Sequence, residues 1–266
     1  MPAMNQDTHF LRTDKISAAC SGLAQTVALE VVATTGSTNS DLLARCGTLQ
    51  QPTLLVAEVQ TAGRGRAGRS WLSEPGASLT FSIAWPFQQT PQSLLGLPLA
   101  VGVALATALQ SVNVPVQLKW PNDVLKEGKK LAGVLVETAT HGATTWAVIG
   151  IGVNLLMPAE LETRIGHAAA DATWLAQMER NQLLGVLLSH QTNCLQQFGV
   201  AGMTPFVEAW NALHAYAGKR VNLIDQGTIV RHGVALGINS TGCLLLQDQS
   251  GAINPIMAGD VSLRTE

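Results

Sequence analysis

Residues 63–69 read GRGRAGR, three arginines and three glycines in a chain of which 13% is charged. A guanidinium is a permanently charged fork of N–H donors that matches phosphate and carboxylate oxygens two at a time. Glycine supplies backbone that can come close to a ligand or take positive φ. Arg64, Arg66 and Arg69 on such a backbone describe a loop able to wrap an anion. On its own the run also reads as a solvated basic loop.

Three more clusters suit the same chemistry. KWPND (Lys119–Asp123) joins a cation to a stiff turn and two polar side chains, although Pro-Asn-Asp is also ordinary turn chemistry. KKLAGVLVE (Lys129–Glu137) sets a lysine before a buried apolar run. There an ammonium either acts as a point charge on phosphate or snorkels at a strand edge. GIGVN (Gly150–Asn154) places two glycines inside a strand pattern, which either admits a ligand to the backbone or simply marks a core strand. The GxxxxGK[ST] phosphate loop does not occur, and although residues 63–68 read GxGxxG after a strand, no acid stands about 20 residues on to meet a ribose.

The elements that must position these clusters follow from periodicity. Thr13–Ala24 reads as a helix, Leu29–Ala33 as a strand and Gly36–Cys46 as a turn entering a helix, with Ser37, Thr38 and Asn39 all suited to its N-cap. Leu54–Gln60 and Ser78–Trp85 read as strands on either side of the Arg/Gly loop. Leu94–Val112 is apolar but carries Pro98 and two glycines, and reads as a buried helix. Val116–Trp120, Leu131–Thr138 and Thr144–Leu156 are strand-like, with a turn at Gly128–Lys130, and 179–198 and 204–216 are helical in pattern. Strands alternating with helices, plus neighbouring hairpins, argue an α/β (α+β) fold built on a mixed sheet. From Ala217 the pattern changes to short runs, Arg220–Asp225, Ile229–Leu236, Gly242–Gln247 and Ile253–Met257, as in a small all-β barrel. The expected division is a lead segment 1–30, a domain 31–216 and a barrel 217–266.

Composition narrows the function classes. The 266 residues are 47% hydrophobic, enough for a full core, and the net charge of −2 provides no global field for nucleic acid. No apolar run reaches a span of about 18 residues without Gly or Pro, and no basic-then-apolar leader opens the chain, so no membrane is expected. Cys20, Cys46, Cys194 and Cys243 lack CxxC spacing, which fits reduced thiols in the cytoplasm.

Each cluster is ambiguous alone, but their order is not. STN, VQTAGRGRAGRSW, KWPND, KLAGVLVE and GIGVN, in that succession from about Gly36 to Asn154, closely resemble the catalytic domain of biotin–protein ligases. GINSTGCLLL (Gly237–Leu246) and GDVSLR (Gly259–Arg264) resemble that family's C-terminal module. The resemblance implies a mixed-sheet domain similar to class II aminoacyl-tRNA synthetases and lipoate ligases, followed by an SH3-like barrel. It implies that biotin's carboxylate attacks the α-phosphate of ATP, and that a lysine of a biotin carboxyl carrier domain then takes the biotin and releases AMP. Mg²⁺ is implied with the ATP phosphates, keeping most of its waters and needing few protein ligands.

By the same resemblance, Arg66 and Lys130 are the catalytic residues, with Lys130 bridging the biotin carboxylate and the α-phosphate. Ser37, Thr38, Asn39 and Gln60 meet the ureido head of biotin, and Gly63, Arg64, Gly65, Arg66, Lys130, Gly150 and Gly152 complete the biotin site. Arg64, Arg66, Arg69, Trp71, Lys119, Asn122, Asp123, Lys130 and Asn154 serve ATP and the adenylate, with Trp71 stacking near adenine. Ala67 departs from relatives that carry a further basic residue there. Only about 30 residues precede the first matching segment, too few for the winged helix of the repressor forms, so a form without operator binding is expected.

Two rivals remain at this stage: a lipoate-type ligase of the same fold, and a biotin-sensing regulator without ligase activity. The absence of an RRxSGGG-like loop argues against the first, and the phosphate-suited Arg64, Arg66 and Lys130 against the second. An exposed sheet edge in such folds leaves a homodimer open.

Overall fold

Two sheets organise the chain. The computed structural model describes residues 10–158, 163–164, 169–259 and 261–265. In the larger sheet β1 (Ala28–Thr35) runs parallel to β2 (Thr53–Gln60). The other neighbours are antiparallel: β3 (Ser78–Phe87), β4 (Gln117–Lys119), β5 (Asp123–Lys126), β6 (Lys129–His141) and β7 (Thr144–Asn154). The order is β1-β2-β3-β7-β6-β5-β4, the mixed sheet expected from the sequence.

Side chains alternate between the two faces of each strand. Leu54, Val56, Phe81, Ile83, Ile149 and Ile151 face the main core, which they share with α1 (Thr13–Ala19), α3 (Leu97–Ser111) and the long helix Arg180–Ala201. Leu55, Ala84, Trp146 and Val148 face the other way and pack on Leu42 and Cys46 at α2 (Thr38–Arg45). Along that second face the apolar set gives out. The same parity continues into Thr80 and Ser82 on β3, Gly133, Leu135 and Glu137 on β6, and Gly150 and Gly152 on β7. A half-apolar, half-polar face is therefore what positions the site.

After α3 come α4 (Thr173–Gln177), α5 (Arg180–Ala201) and α6 (Val207–Ala212). Pro98 lies in the first turn of α3, where a missing N–H costs nothing, so it starts the helix and does not break it. Among the described residues Pro91–Ser111 is one stretch long and apolar enough to cross a membrane, and most of it is inside the protein.

Three boundaries differ from expectation. The helix expected to Ala24 stops at Ala19, and a separate 3-10 turn starts at Gly22, whose φ of +59° the α-helix cannot contain. The helix expected over 204–216 is a 3-10 turn, Thr204–Phe206, followed by the short α6. β5 was not expected. It forms a hairpin with β6 through Glu127 (φ 52°) and Gly128 (φ 77°), which puts Lys130 in the strand and not in the turn.

The smaller sheet holds β8 (Arg220–Asp225), β9 (Thr228–Ile238), β10 (Leu244–Gln247), β11 (Ile253–Ile256) and β12 (Val261–Thr265), all antiparallel in the order β11-β10-β9-β8-β12. Trp120 and Asn211 are among the side chains that fasten it to the larger unit. The fully buried Trp120 donates from Nε1 to the Gly242 carbonyl at 3.2 Å. Asn211 accepts from the Ile238 amide at 2.8 Å and donates to its carbonyl at 3.3 Å.

Candidate active site

The cavity on the polar half of the second face measures about 530 Å³, a usual size for a small-molecule site. Among the described residues six cations line it, Arg64, Arg66, Arg69, Lys119, Lys130 and Arg164, with Asp123 as the lining carboxylate, while Glu137 and Glu74 pair with Arg64 and Arg164 from just outside. In a chain of net charge −2 this concentrates positive potential in one place.

One end is small and polar. Ser37 caps α2 by accepting from the Ser40 amide at 3.4 Å, an arrangement worth about 1 kcal/mol. The cap turns Thr38 and Asn39 inward, where both are buried. Gln60 Oε1 accepts from the Thr38 amide at 2.8 Å. Thr38 Oγ1 lies 2.7 Å from Ser82 Oγ, and Ser82 donates to Asn39 Oδ1 at 2.6 Å. Asn39 Nδ2 in turn donates to Glu137 at 3.0 Å.

The loop between β2 and β3 closes over this end as a narrow hairpin. The Trp71 amide donates to the Gly63 carbonyl at 2.8 Å and the Gly65 amide to the Arg69 carbonyl at 2.7 Å. A side chain at Gly63 would overlap the Trp71 carbonyl, so glycine is required there by the loop's own closure. The tip turns through Ala67 (φ 53°) and Gly68 (φ 69°). Arg64 binds Glu137 at 2.7 Å and Ser40 Oγ at 3.2 Å. Arg66 binds Asn122 Oδ1 at 2.9 Å and the backbone carbonyls of Gly259 and Val261 in the smaller unit.

The floor is bare backbone. A Cβ on Gly150 would lie 2.5 Å from Asn39 Oδ1, and one on Gly152 would overlap the Trp71 indole. These two glycines therefore make room for Asn39 and Trp71, which themselves line the cavity. Lys130 Nζ sits 5.6 Å from the Trp71 ring centroid, within cation–π range.

At the far end Asp123 is shared by Lys130 at 2.7 Å and Lys119 at 3.3 Å. Burial pushes the Asp123 carboxyl up, but the two ammonium groups outweigh it and hold the acid below its ordinary range. Asn122 donates to the Val134 carbonyl at 2.8 Å, and Asn154 donates to the Lys130 carbonyl at 3.3 Å.

Every residue the sequence singled out lines the cavity except Gly63, which braces the loop beside it. Sequence reasoning missed Ser82, Gly133, Glu137, Arg164 and the Val261–Leu263 stretch of β12. Only period-two alternation from Gly150 and Gly152 across to β3 and β6 would have pointed to the first three. The β12 contact joins residues 195 apart (Arg66 to Val261) and leaves no local trace.

Residues 30–154 match the biotin/lipoate A/B protein ligase family, and residues 216–264 match the biotin protein ligase C-terminal domain. The chain is 36% identical to the biotin–[acetyl-CoA-carboxylase] ligase of Mycobacterium tuberculosis over 268 residues, covering 96% of this chain and 94% of that protein. The chain belongs to the biotin protein ligases. It is also 36% identical over 237 residues to the bifunctional ligase/repressor BirA of Escherichia coli, spanning 86% of this chain and 72% of that protein. Its fold is similar to a biotin protein ligase from Aquifex aeolicus in complex with biotin and ATP, with a TM-score of 0.75 and 31% identity over 90% of this chain and 99% of that one. The α/β architecture with an all-β C-terminal unit is that of the family.

Proposed function

We propose that this chain activates biotin with ATP to biotinyl-5′-AMP and transfers the biotin to a lysine of the biotin carboxyl carrier domain of a carboxylase. One observation carries the reading: a polar pocket suited to a cyclic urea opens directly onto a cluster of cations that outnumbers its carboxylates. A ligase must bring two anions together, and fixed cations offset their repulsion.

In the first step a biotin carboxylate oxygen bonds to the α-phosphorus as the bond to the β-phosphate bridging oxygen breaks, releasing pyrophosphate. Lys130 bridges carboxylate and α-phosphate, with Trp71 beneath it. In the second step the carrier amine attacks the acyl carbon, the acyl–phosphate bond breaks, AMP leaves and the amine loses its proton. Ser37, Thr38, Asn39 and Gln60 hold the ureido head. Arg64, Arg66 and Arg69 wrap the phosphate side, with Lys119, Asn122, Asp123 and Asn154 supporting it. Mg²⁺ would neutralise charge on the ATP phosphates. Asp123 is already shared by two lysines, which suits a cation carried by phosphate and water.

The working units are 31–216 for the biotin and ATP chemistry and 217–266 for the small barrel, in the cytoplasm, where reduced Cys20, Cys46, Cys194 and Cys243 persist. Beyond its pairing with β5, the far part of β6 has an open edge suited to main-chain pairing with the carrier domain or a second copy. ATP–pyrophosphate exchange with biotin, with lipoate and with neither, followed by transfer to a carrier domain, tests the reading. Exchange that needs biotin supports it; exchange that prefers lipoate, or none with either, removes it.

A further inference from the structure

We propose that Glu137 is a positioning residue that sets the direction of the hydrogen bonds lining the biotin head pocket, so that its wall presents acceptors to a ureido N–H; this rests on the reading of the cavity as a biotin site. Glu137 stands on the cavity face of β6 with its side chain 23% exposed. One carboxylate oxygen accepts from Arg64 at 2.7 Å, the other from Asn39 Nδ2 at 3.0 Å.

A carboxylate only accepts, so the Asn39 carboxamide must turn its NH2 toward Glu137. Its Oδ1 then faces Ser82, which donates its single hydroxyl proton there at 2.6 Å. The 2.7 Å contact between Ser82 and Thr38 therefore takes its proton from Thr38. Thr38 Oγ1 is also within donating range of Gln60 Oε1, at 3.1 Å, but its one proton is committed to the nearer Ser82, so both oxygens present lone pairs on the cavity wall. An N–H entering between them pairs both. A ring oxygen in the same place adds a third set of lone pairs and is rejected. The polarity of Asn39, Ser82 and Thr38 thus follows from one carboxylate beside the pocket, while Gln60 is turned by the Thr38 amide.

The same carboxylate fixes Arg64, so the head pocket and the Arg/Gly loop share an anchor. As a partly exposed ion pair it would contribute little to stability, which separates a positioning role from a structural one.

Calorimetric titration with biotin, and with the analogue whose ureido N–H is replaced by oxygen to give a cyclic carbamate, tests the proposal. The wild-type protein should prefer biotin strongly. Glu137→Gln should weaken biotin roughly tenfold to a hundredfold and narrow the preference over the carbamate, with a smaller loss of nucleotide affinity through Arg64. Adding Asn39→Asp to Glu137→Gln should recover most of the loss, because the new amide donates to the new carboxylate and the direction of the chain returns. Asn39→Asp alone, with two facing carboxylates, should be weaker than either. Ser82→Ala gives a second route if Glu137→Gln does not fold: freed from Ser82, the Thr38 proton turns to Gln60 and discrimination falls. Biotin binding by Glu137→Gln within twofold of wild type with preference intact, a double variant no better than Glu137→Gln, or full discrimination in Ser82→Ala would each overturn the proposal. Failure of the wild-type protein to bind biotin would instead remove the reading of the site.

Discussion

Lys130 Nζ lies 2.7 Å from Asp123 Oδ1, on the strand next to its own. The cation assigned to the two substrate anions is thus held in place by a carboxylate that Lys119 also shares. That contact orients the ammonium group, which reduces the ordering cost of its use in the transition state.

Lys130→Ala should abolish most biotin-dependent pyrophosphate exchange, by about a hundredfold or more, while the domain stays folded. The side chain is 27% exposed, and Asp123 keeps Lys119 as a partner, so the stability loss should stay near 1–2 kcal/mol. Near-normal exchange with unchanged melting would take Lys130 out of its role.

Gly152→Ala should damage the site with a limited effect on the fold. The added methyl overlaps the Trp71 indole, which must leave the floor beside Lys130. Overpacking of this kind costs about 1–3 kcal/mol, and biotin affinity should fall at least tenfold because the displaced ring fills the cavity. Calorimetry together with a thermal melt would show it; unchanged biotin binding would mean that the indole is not part of the floor.

Much of this site could be read from the chain, for a physical reason. Its clusters sit at strand ends, and each strand's apolar run names its own boundaries, as Leu54–Gln60 does before the Arg/Gly loop. What escaped was set by tertiary contact. DVLK is four residues with a charge at each end, and its pairing as β5 depends on a turn through Glu127 at positive φ, where glycine or asparagine is the usual signal. Gly150 and Gly152 were legible as close-approach positions, but not that Asn39 and Trp71 are what approaches. Glu137 looks in sequence like any charge at the end of an apolar strand. The Arg66 contact to Gly259 spans 193 residues.

Arg66→Gly should still make adenylate but release it, labelling nearby lysines without selection. Its guanidinium ties the loop both to Asn122 and to the carbonyls of Gly259 and Val261, so its loss unfastens the cover from both sides. A mixed anhydride survives only where water is kept out. Labelling of a bystander protein by mass spectrometry reads the leak; retention equal to wild type would contradict the clamp.

His214 predicts the acid limb of stability. Its ring is buried against Trp210 at 4.6 Å, and neither nitrogen has a hydrogen-bond partner. Burial, helped by Lys219, lowers its pKa from 6.5 to about 4. Between those values the unfolded chain binds a proton that the folded one refuses. Stability should thus be full above about pH 6.5 and fall as pH drops toward 4, by at most roughly 3 kcal/mol at 1.36 kcal/mol per unit. His214→Phe should flatten melting temperature against pH across that window. A profile as steep as wild type would assign the acid limb elsewhere. Asp123, with its lowered pKa, acts only further down, as pH falls below its ordinary 3.8.

The most direct test of the joined-anion cavity is a single turnover with excess enzyme, biotin and ATP labelled in the α-phosphate, without carrier protein. The account predicts that the label appears as about one equivalent of biotinyl-5′-AMP held on the enzyme, that it converts to AMP when the carrier domain is added, and that Lys130→Ala forms almost none. Label recovered as ADP, or adenylate formed equally well by Lys130→Ala, would contradict it.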